Sequence, residues 1–152
     1  MQLSPQWVSG FVDGEGTFYV GINKNPTMKI GYQVLPEFRI VQHKRDMKLL
    51  HALRHFFGCG VVRRNHEDRF ELRIRKLETI EKTIIPFFRT NPLHTQKQFD
   101  FLKFSEIIRL MSEDAHLTIS GLIRIIDVAS QMNRSDKKKA LEIKRELELK
   151  RG

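Results

Sequence analysis

Two kinds of hydrophobic spacing alternate along the first half of the chain. Trp7, Val8, Phe11 and Val12 recur at i, i+1, i+4 and i+5, which predicts a short amphipathic helix over residues 5–13. Ser4 suits its N-cap and Pro5 its first helical position. Gly14 and Gly16 are expected to end it. Over residues 17–23 the period changes to two, with Phe18, Val20 and Ile22 on one face and Thr17, Tyr19, Gly21 and Asn23 on the other. After the Asn25-Pro26 turn, residues 31–43 alternate again, setting Tyr32, Val34, Phe38 and Ile40 against Gln33, Leu35, Glu37 and Arg39. Pro36 within this run suggests an edge strand or a bulge.

The same sequence of patterns then repeats. Asp46 can cap a helix over 46–57 that Gly58-Cys59-Gly60 stops. Residues 61–65 and 69–75 read as a hairpin around His66-Glu67-Asp68, with Phe70, Leu72 and Ile74 facing away from Arg69, Glu71, Arg73 and Arg75. Helices are predicted over 77–88, over 95–111 with a stripe of Phe99, Leu102, Phe104, Ile107, Ile108 and Met111, and over 118–131. Residues 135–151 form a charged helix whose thin seam of Ala140, Leu141, Ile143 and Leu147 packs weakly or frays. This order of elements predicts an α+β domain over 1–131 with an antiparallel sheet, followed by a charged C-terminal helical tail over 132–152.

Charge sharpens that picture. The 152 residues carry 27 Lys and Arg against 18 Asp and Glu, a net +9. From Gly16 to Arg64 nine basic residues face only Glu37 and Asp46, a local net of +7. Such an excess favours a polyanionic partner. No apolar run approaches the ~20 residues a membrane span needs, so no membrane partner is expected. Residues 1–5 have neither a basic nor an apolar leader segment, and an intracellular location is expected. Cys59 is the sole cysteine, which excludes an intrachain disulfide and a cysteine-pair zinc site. His51 and His55 are four apart, but Ala52 stands where a zinc-protease motif needs an acid.

The most informative segment is Val8-Ser9-Gly10-Phe11-Val12-Asp13-Gly14-Glu15-Gly16. A helix ending in Asp-Gly-Glu-Gly brings two carboxylates together. Carboxylate and carbonyl oxygens suit a hard divalent cation such as Mg²⁺. Glycine on both sides of Glu15 lets a phosphodiester backbone approach without a Cβ clash.

This segment resembles the LAGLIDADG motif of homing endonucleases, with Val8 and Ser9 in place of the usual Leu and Ala and a Glu in place of the commoner second Asp. The resemblance extends over about the first 110 residues and implies an αββαββα fold with a curved antiparallel four-stranded DNA-binding sheet and extra C-terminal helices. It implies an intron-encoded, metal-dependent endonuclease that makes double-strand cuts. One motif per chain implies a homodimer on a long, near-palindromic site. Ser9, Gly10 and Val12 are then dimer-interface candidates. Glu15 becomes the metal ligand, with the Gly14 carbonyl beside it, and Asp13 caps or buttresses the helix end. Gln42 corresponds to a glutamine that orders water, and Lys97 to a lysine near the nucleophile. Mg²⁺ is the expected cofactor, and Mn²⁺ or Ca²⁺ fits the same sites.

Strand parity supplies candidate DNA-reading residues: Tyr19, Gly21, Asn23, Gln33, Glu37, Arg39, Arg63, Asn65, Arg69, Glu71 and Arg73, with Lys24, Lys44 and Lys48 as phosphate contacts. Double-stranded DNA and a second copy of the chain are the expected partners. An RNA maturase acting on intron RNA, or a non-cleaving regulator of the same fold, is the alternative. Bacterial cytoplasm, chloroplast and mitochondrion stay open as compartments.

Overall fold

The structure, a computed structural model, describes residues 1–133 and 135–151. Helix α1 (Pro5–Glu15) opens as expected: Ser4 Oγ accepts the Trp7 N–H at 3.1 Å, and Pro5 occupies the first turn. It runs two residues past its expected end, through Gly14 to Glu15, and strand β1 (Gly16–Lys24) starts at the next residue. A glycine inside a helix costs only about 1 kcal/mol, so Gly14 does not break one that is anchored elsewhere. Gly16 leaves the helix at an unremarkable φ of −82°. Space is what requires glycine there, because a Cβ would lie 2.6 Å from Val12 Cγ1.

Strand β2 (Tyr32–His43) leads through a 3₁₀ turn (Lys44–Asp46) into helix α2 (Met47–Phe57), then strands β3 (Val61–His66) and β4 (Arg69–Ile74). The strands form one sheet in the order β1-β2-β4-β3, with β4 antiparallel to β2 and β3. The αββαββα order is therefore present. Pro36 does not make β2 an edge strand, since β2 lies inside the sheet. Its ladder to β4 opens only at Phe38, opposite Ile74, so the missing proline N–H falls before that ladder begins. Asp46 makes no side-chain cap to α2; His43 Nδ1 accepts the Arg45 N–H at 3.1 Å instead. Gly58, at φ +71°, closes α2 in a conformation that favours glycine.

The predicted helix over 77–88 is a composite: α3 (Leu77–Thr79), a π segment (Ile80–Ile84) and α4 (Ile85–Thr90). Pro86 accounts for it. Proline lacks an N–H and crowds the carbonyl four residues earlier, and a widened preceding turn relieves both problems.

The chain divides into two compact units, residues 1–18 with 37–98, and 19–36 with 99 onward. The first has a core of Val8, Val12, Ile40, Leu50, Leu53, Leu72 and an aromatic cluster. Phe18 lies 5.2 Å from Phe38 and 5.6 Å from Phe88, and Phe38 packs edge-on against Phe57 at 5.8 Å. The second unit contains most of α5 (Lys97–Ser112), a 3₁₀ turn (Ala115–Leu117), α6 (Ile119–Ala129) and α7 (Lys137–Arg151). On α5, Phe101, Phe104, Ile107, Ile108 and Met111 are buried, whereas Phe99 and Leu102 are exposed. Asp100 is buried in their place because its Oδ1 accepts the Asn133 N–H at 3.0 Å.

The charged tail helix is packed. Ile143 and Leu147 are buried, while Leu141 is exposed. Lys144 Nζ meets Asp127 at 2.9 Å, and the Tyr32 hydroxyl donates to Glu146. Burial, that hydrogen bond and the carboxylate charge push the Tyr32 phenol up to about 12. Among the described residues no helix is long and apolar enough to cross a membrane.

Candidate active site and nucleic-acid face

The end of α1 gathers three of the sequence candidates. Glu15 is its last residue and is exposed. Gln42 shares the parity of Phe38 and Ile40 near the end of β2, and its Nε2 donates to Val41 O at 2.9 Å and reaches Glu15 Oε2 at 3.4 Å. Lys97, the first residue of α5, extends its Nζ to Val12 O at 3.1 Å. That carbonyl also receives the Gly16 N–H. A lysine ammonium on the carbonyl end of a helix complements the negative pole of its dipole.

Asp13 supports the site rather than facing it. Its carboxylate accepts the His94 N–H at 2.8 Å, the Thr95 N–H at 3.2 Å and the Thr95 hydroxyl at 2.5 Å. Thr95 Oγ1 in turn accepts the Lys97 N–H at 3.2 Å. The expected cap is thus a clasp between α1 and the turn that carries Lys97. Burial tends to raise the Asp13 pKa, but the Thr95 hydroxyl and the two N–H groups outweigh it and hold the carboxyl below its usual range.

The interface candidates need correction. Ser9 and Val12 are buried within their own chain, and Ser9 Oγ donates to Asn91 O at 2.9 Å and lies 3.2 Å from Pro92 O. Gly10, the third candidate, does lie on the outer face of α1, together with Trp7, Phe11 and Gly14. Trp7 is 44% exposed and stacks on Phe11 at 4.9 Å and 11°. A Cβ on Gly10 or Gly14 would meet nothing within 4 Å.

A divalent cation would find hard oxygen donors here. Glu15 offers an accessible carboxylate, and the helix end around Gly14 offers carbonyl oxygens, both hard donors. Among the described residues no group of three or more His, Cys, Asp or Glu side chains gathers to hold a metal. A complete coordination sphere would need oxygen donors beyond these two.

In the first unit, β2, β3 and β4 display a charged face. Arg39 stands opposite Arg73, and Glu71 lies between Val41 and Arg63 across the ladders. Facing like charges destabilise a sheet unless a counter-charge arrives. Burial, with Arg75 and Arg63 nearby, pulls the Arg73 pKa below its usual value against the opposing pull of Glu71 and Glu37. Glu37 and Glu71, expected as open base acceptors, are only 4% and 5% exposed. Glu37 Oε2 accepts from Arg39 Nη1 at 3.0 Å and its Oε1 from Arg75 Nε at 2.8 Å. Glu71 Oε1 has longer contacts, with Asn65 Nδ2 at 3.5 Å and Arg63 Nε at 4.0 Å, and its buried Oε2 has no hydrogen-bond partner. Lys48, Arg63, Asn65 and Arg69 are exposed, and Lys44 pairs with Asp68 at 3.4 Å.

In the second unit, Tyr19 and Gln33 are half-buried, and Gln33 accepts from Asn25 at 3.1 Å. Asn23 is exposed and accepts from Lys139 at 2.9 Å, while Lys24 lies 3.9 Å from Glu146. Sequence reasoning missed the clasp at residues 94 and 95. It also stopped its list of reading residues at Arg73, although the alternation runs on to Arg75.

The fold is an α+β scaffold that carries an acidic helix end and an arginine-bearing sheet. The family model described as LAGLIDADG endonuclease matches residues 8–108. The chain belongs to the LAGLIDADG endonuclease family. A curated Neurospora crassa protein, "Probable intron-encoded endonuclease 2", is 35% identical over 133 residues, covering 86% of this chain and 29% of that protein. The chain spans about a quarter to a third of the length of the curated relatives it matches first. The crystal structure of the homing endonuclease I-TnaI is similar, with a TM-score of 0.92 and 56% identity over 97% of this chain and 99% of that one. I-SmaMI, bound to an uncleaved DNA target in the presence of calcium ions, matches with a TM-score of 0.90 and 34% identity over 93% of this chain and 49% of its own.

Proposed function

We propose that this chain is a site-specific DNA endonuclease that makes Mg²⁺-dependent double-strand cuts in a long, near-palindromic target as a homodimer. The observation that carries this reading is the convergence of an accessible Glu15 with Gln42 and Lys97 at the end of α1. Glu15 and the Gly14 carbonyl would be the protein ligands for the cation. When bound there, the ion would supply Lewis-acid stabilisation of phosphoryl oxygens and lower the pKa of water. Gln42 orients solvent beside Glu15 through its amide. Lys97 places a positive charge where negative charge builds on the transition state. The Asp13–Thr95 clasp keeps that lysine in register with the helix.

The outer face of α1 supports pairing with a second copy. Gly10 and Gly14 are not required by contacts inside the chain, and the Trp7–Phe11 stack leaves apolar surface exposed beside them. The match to about half of I-SmaMI supports the need for two such domains per target. The protein acts where an intron-bearing genome is kept, in an organelle or a bacterial cytoplasm.

The test begins with selection of duplexes from a random library. The enriched duplexes are then incubated with the chain in Mg²⁺ or in chelator. Linear double-strand products in Mg²⁺ alone, from a species that elutes as a dimer, are expected. Tight binding without cleavage in Mg²⁺ or Mn²⁺ would convert the reading to a non-cleaving binder.

A further inference from the structure

Arg75 lies one residue beyond β4 and continues the polar parity of Arg69, Glu71 and Arg73. Its Nε donates to Glu37 Oε1 at 2.8 Å, while the other carboxylate oxygen of Glu37 is taken by Arg39 Nη1 at 3.0 Å. Glu37 is 4% exposed, whereas the Arg75 side chain is 51% exposed. A guanidinium bonded through Nε keeps its terminal Nη1–Nη2 edge for something else, and among the described residues that edge makes no hydrogen bond. The carboxylate therefore fixes the orientation of a fork whose working end points away from the bond that holds it.

Two targets fit such a fork, a phosphate and the O6/N7 edge of guanine. A phosphate contact needs charge and little directional control. Here the adjacent Glu37 offsets part of the charge while removing rotational freedom, which favours directional reading. We infer that Arg75 is a specificity-determining residue that reads a guanine in the major groove through its Nη1–Nη2 edge, and that Glu37 is its positioning residue. This inference rests on the endonuclease reading above, because it needs a duplex on this face.

The test compares binding-site selection by the full-length wild type, Arg75→Lys and Glu37→Gln, with thermal midpoints recorded for each. Lysine keeps the charge at an exposed position and loses the fork. Wild type should demand guanine at one base pair per half-site. Arg75→Lys should relax that position alone, by between about five- and a hundredfold in relative affinity. Glu37→Gln should relax the same position more weakly and leave the others intact. Should Glu37→Gln unfold, Arg75→Lys still decides the matter. A uniform loss of affinity across all sequences, or an unchanged preference in Arg75→Lys, overturns the inference. A wild type that enriches no duplex at all defeats the endonuclease reading itself, and that outcome is seen before any variant is made.

Discussion

Asp13 has both carboxylate oxygens occupied by the His94 and Thr95 N–H groups and the Thr95 hydroxyl, whereas Glu15, two residues on, meets among the described residues only the Gln42 amide at 3.4 Å. The two acids share a helix and a charge. Their roles are set by the donors that the rest of the chain brings to each. A carboxylate whose lone pairs are filled holds structure and can bind a cation only by releasing its donors. One that faces solvent with its lone pairs open is available to a cation. On the sheet both acids are buried, yet both oxygens of Glu37 hold arginines while Glu71 Oε2 has no hydrogen-bond partner.

Substitutions on the two sides of the α1 end should therefore fail in different ways. The largest effect is expected for Glu15→Gln, which preserves shape and removes the ligand charge. Single-turnover cleavage should fall by about a thousandfold or more, with target affinity and thermal midpoint retained. Cutting within tenfold of wild type would place the cation elsewhere. Lys97→Met should slow cleavage by about a hundredfold with the dimer intact, and an unchanged rate would show the ammonium to be purely structural.

Asp13→Asn should instead register in stability, losing about 1.5–3 kcal/mol in urea unfolding at neutral pH as its charge-assisted bonds weaken. Because folding lowers the Asp13 pKa, its contribution is complete above the ordinary carboxylate value of about 3.9 and disappears as pH falls through the lower folded value. The gap in stability between wild type and Asp13→Asn should accordingly be constant from pH 7 to 5 and close below about pH 4. A gap independent of pH would remove the charge from the explanation. The smallest effect is expected for Thr95→Val, about 1 kcal/mol, since it deletes the hydroxyl and spares both N–H donors.

Local spacing made much of this legible. The period-2 runs, the Ser4-Pro5 helix start and the nine-residue motif are properties of neighbours in sequence, and they placed α1, the strands and Glu15. The partner of Asp13 lies 81 residues away in a turn with no hydrophobic pattern, so no periodicity announces it. The resemblance implies Ser9 and Val12 at an interface, but helical phase puts them inward with Val8 and turns Trp7, Gly10 and Gly14 outward. Parity located the side of the sheet on which Glu37 and Glu71 sit. It carries no information on whether arginines close over them, because that depends on cross-strand register and on Arg75 beyond the strand end. The π segment before Pro86 was readable in principle, as the proline stands in plain view within the predicted helix.

The division of the chain into two compact units has an evolutionary side. The polypeptide leaves the first unit after Phe18 and returns at Glu37, in the middle of two strands. Every hydrogen bond described at the end of α1 joins residues of 1–18 and 37–98. Mutations that accumulate in the excursion over 19–36, or in α6 and α7, touch none of those bonds directly. Substitutions at Tyr19, Asn23, Lys24 and Gln33 can therefore accumulate while the hydrogen bonds around Asp13, Glu15 and Lys97 stay as they are.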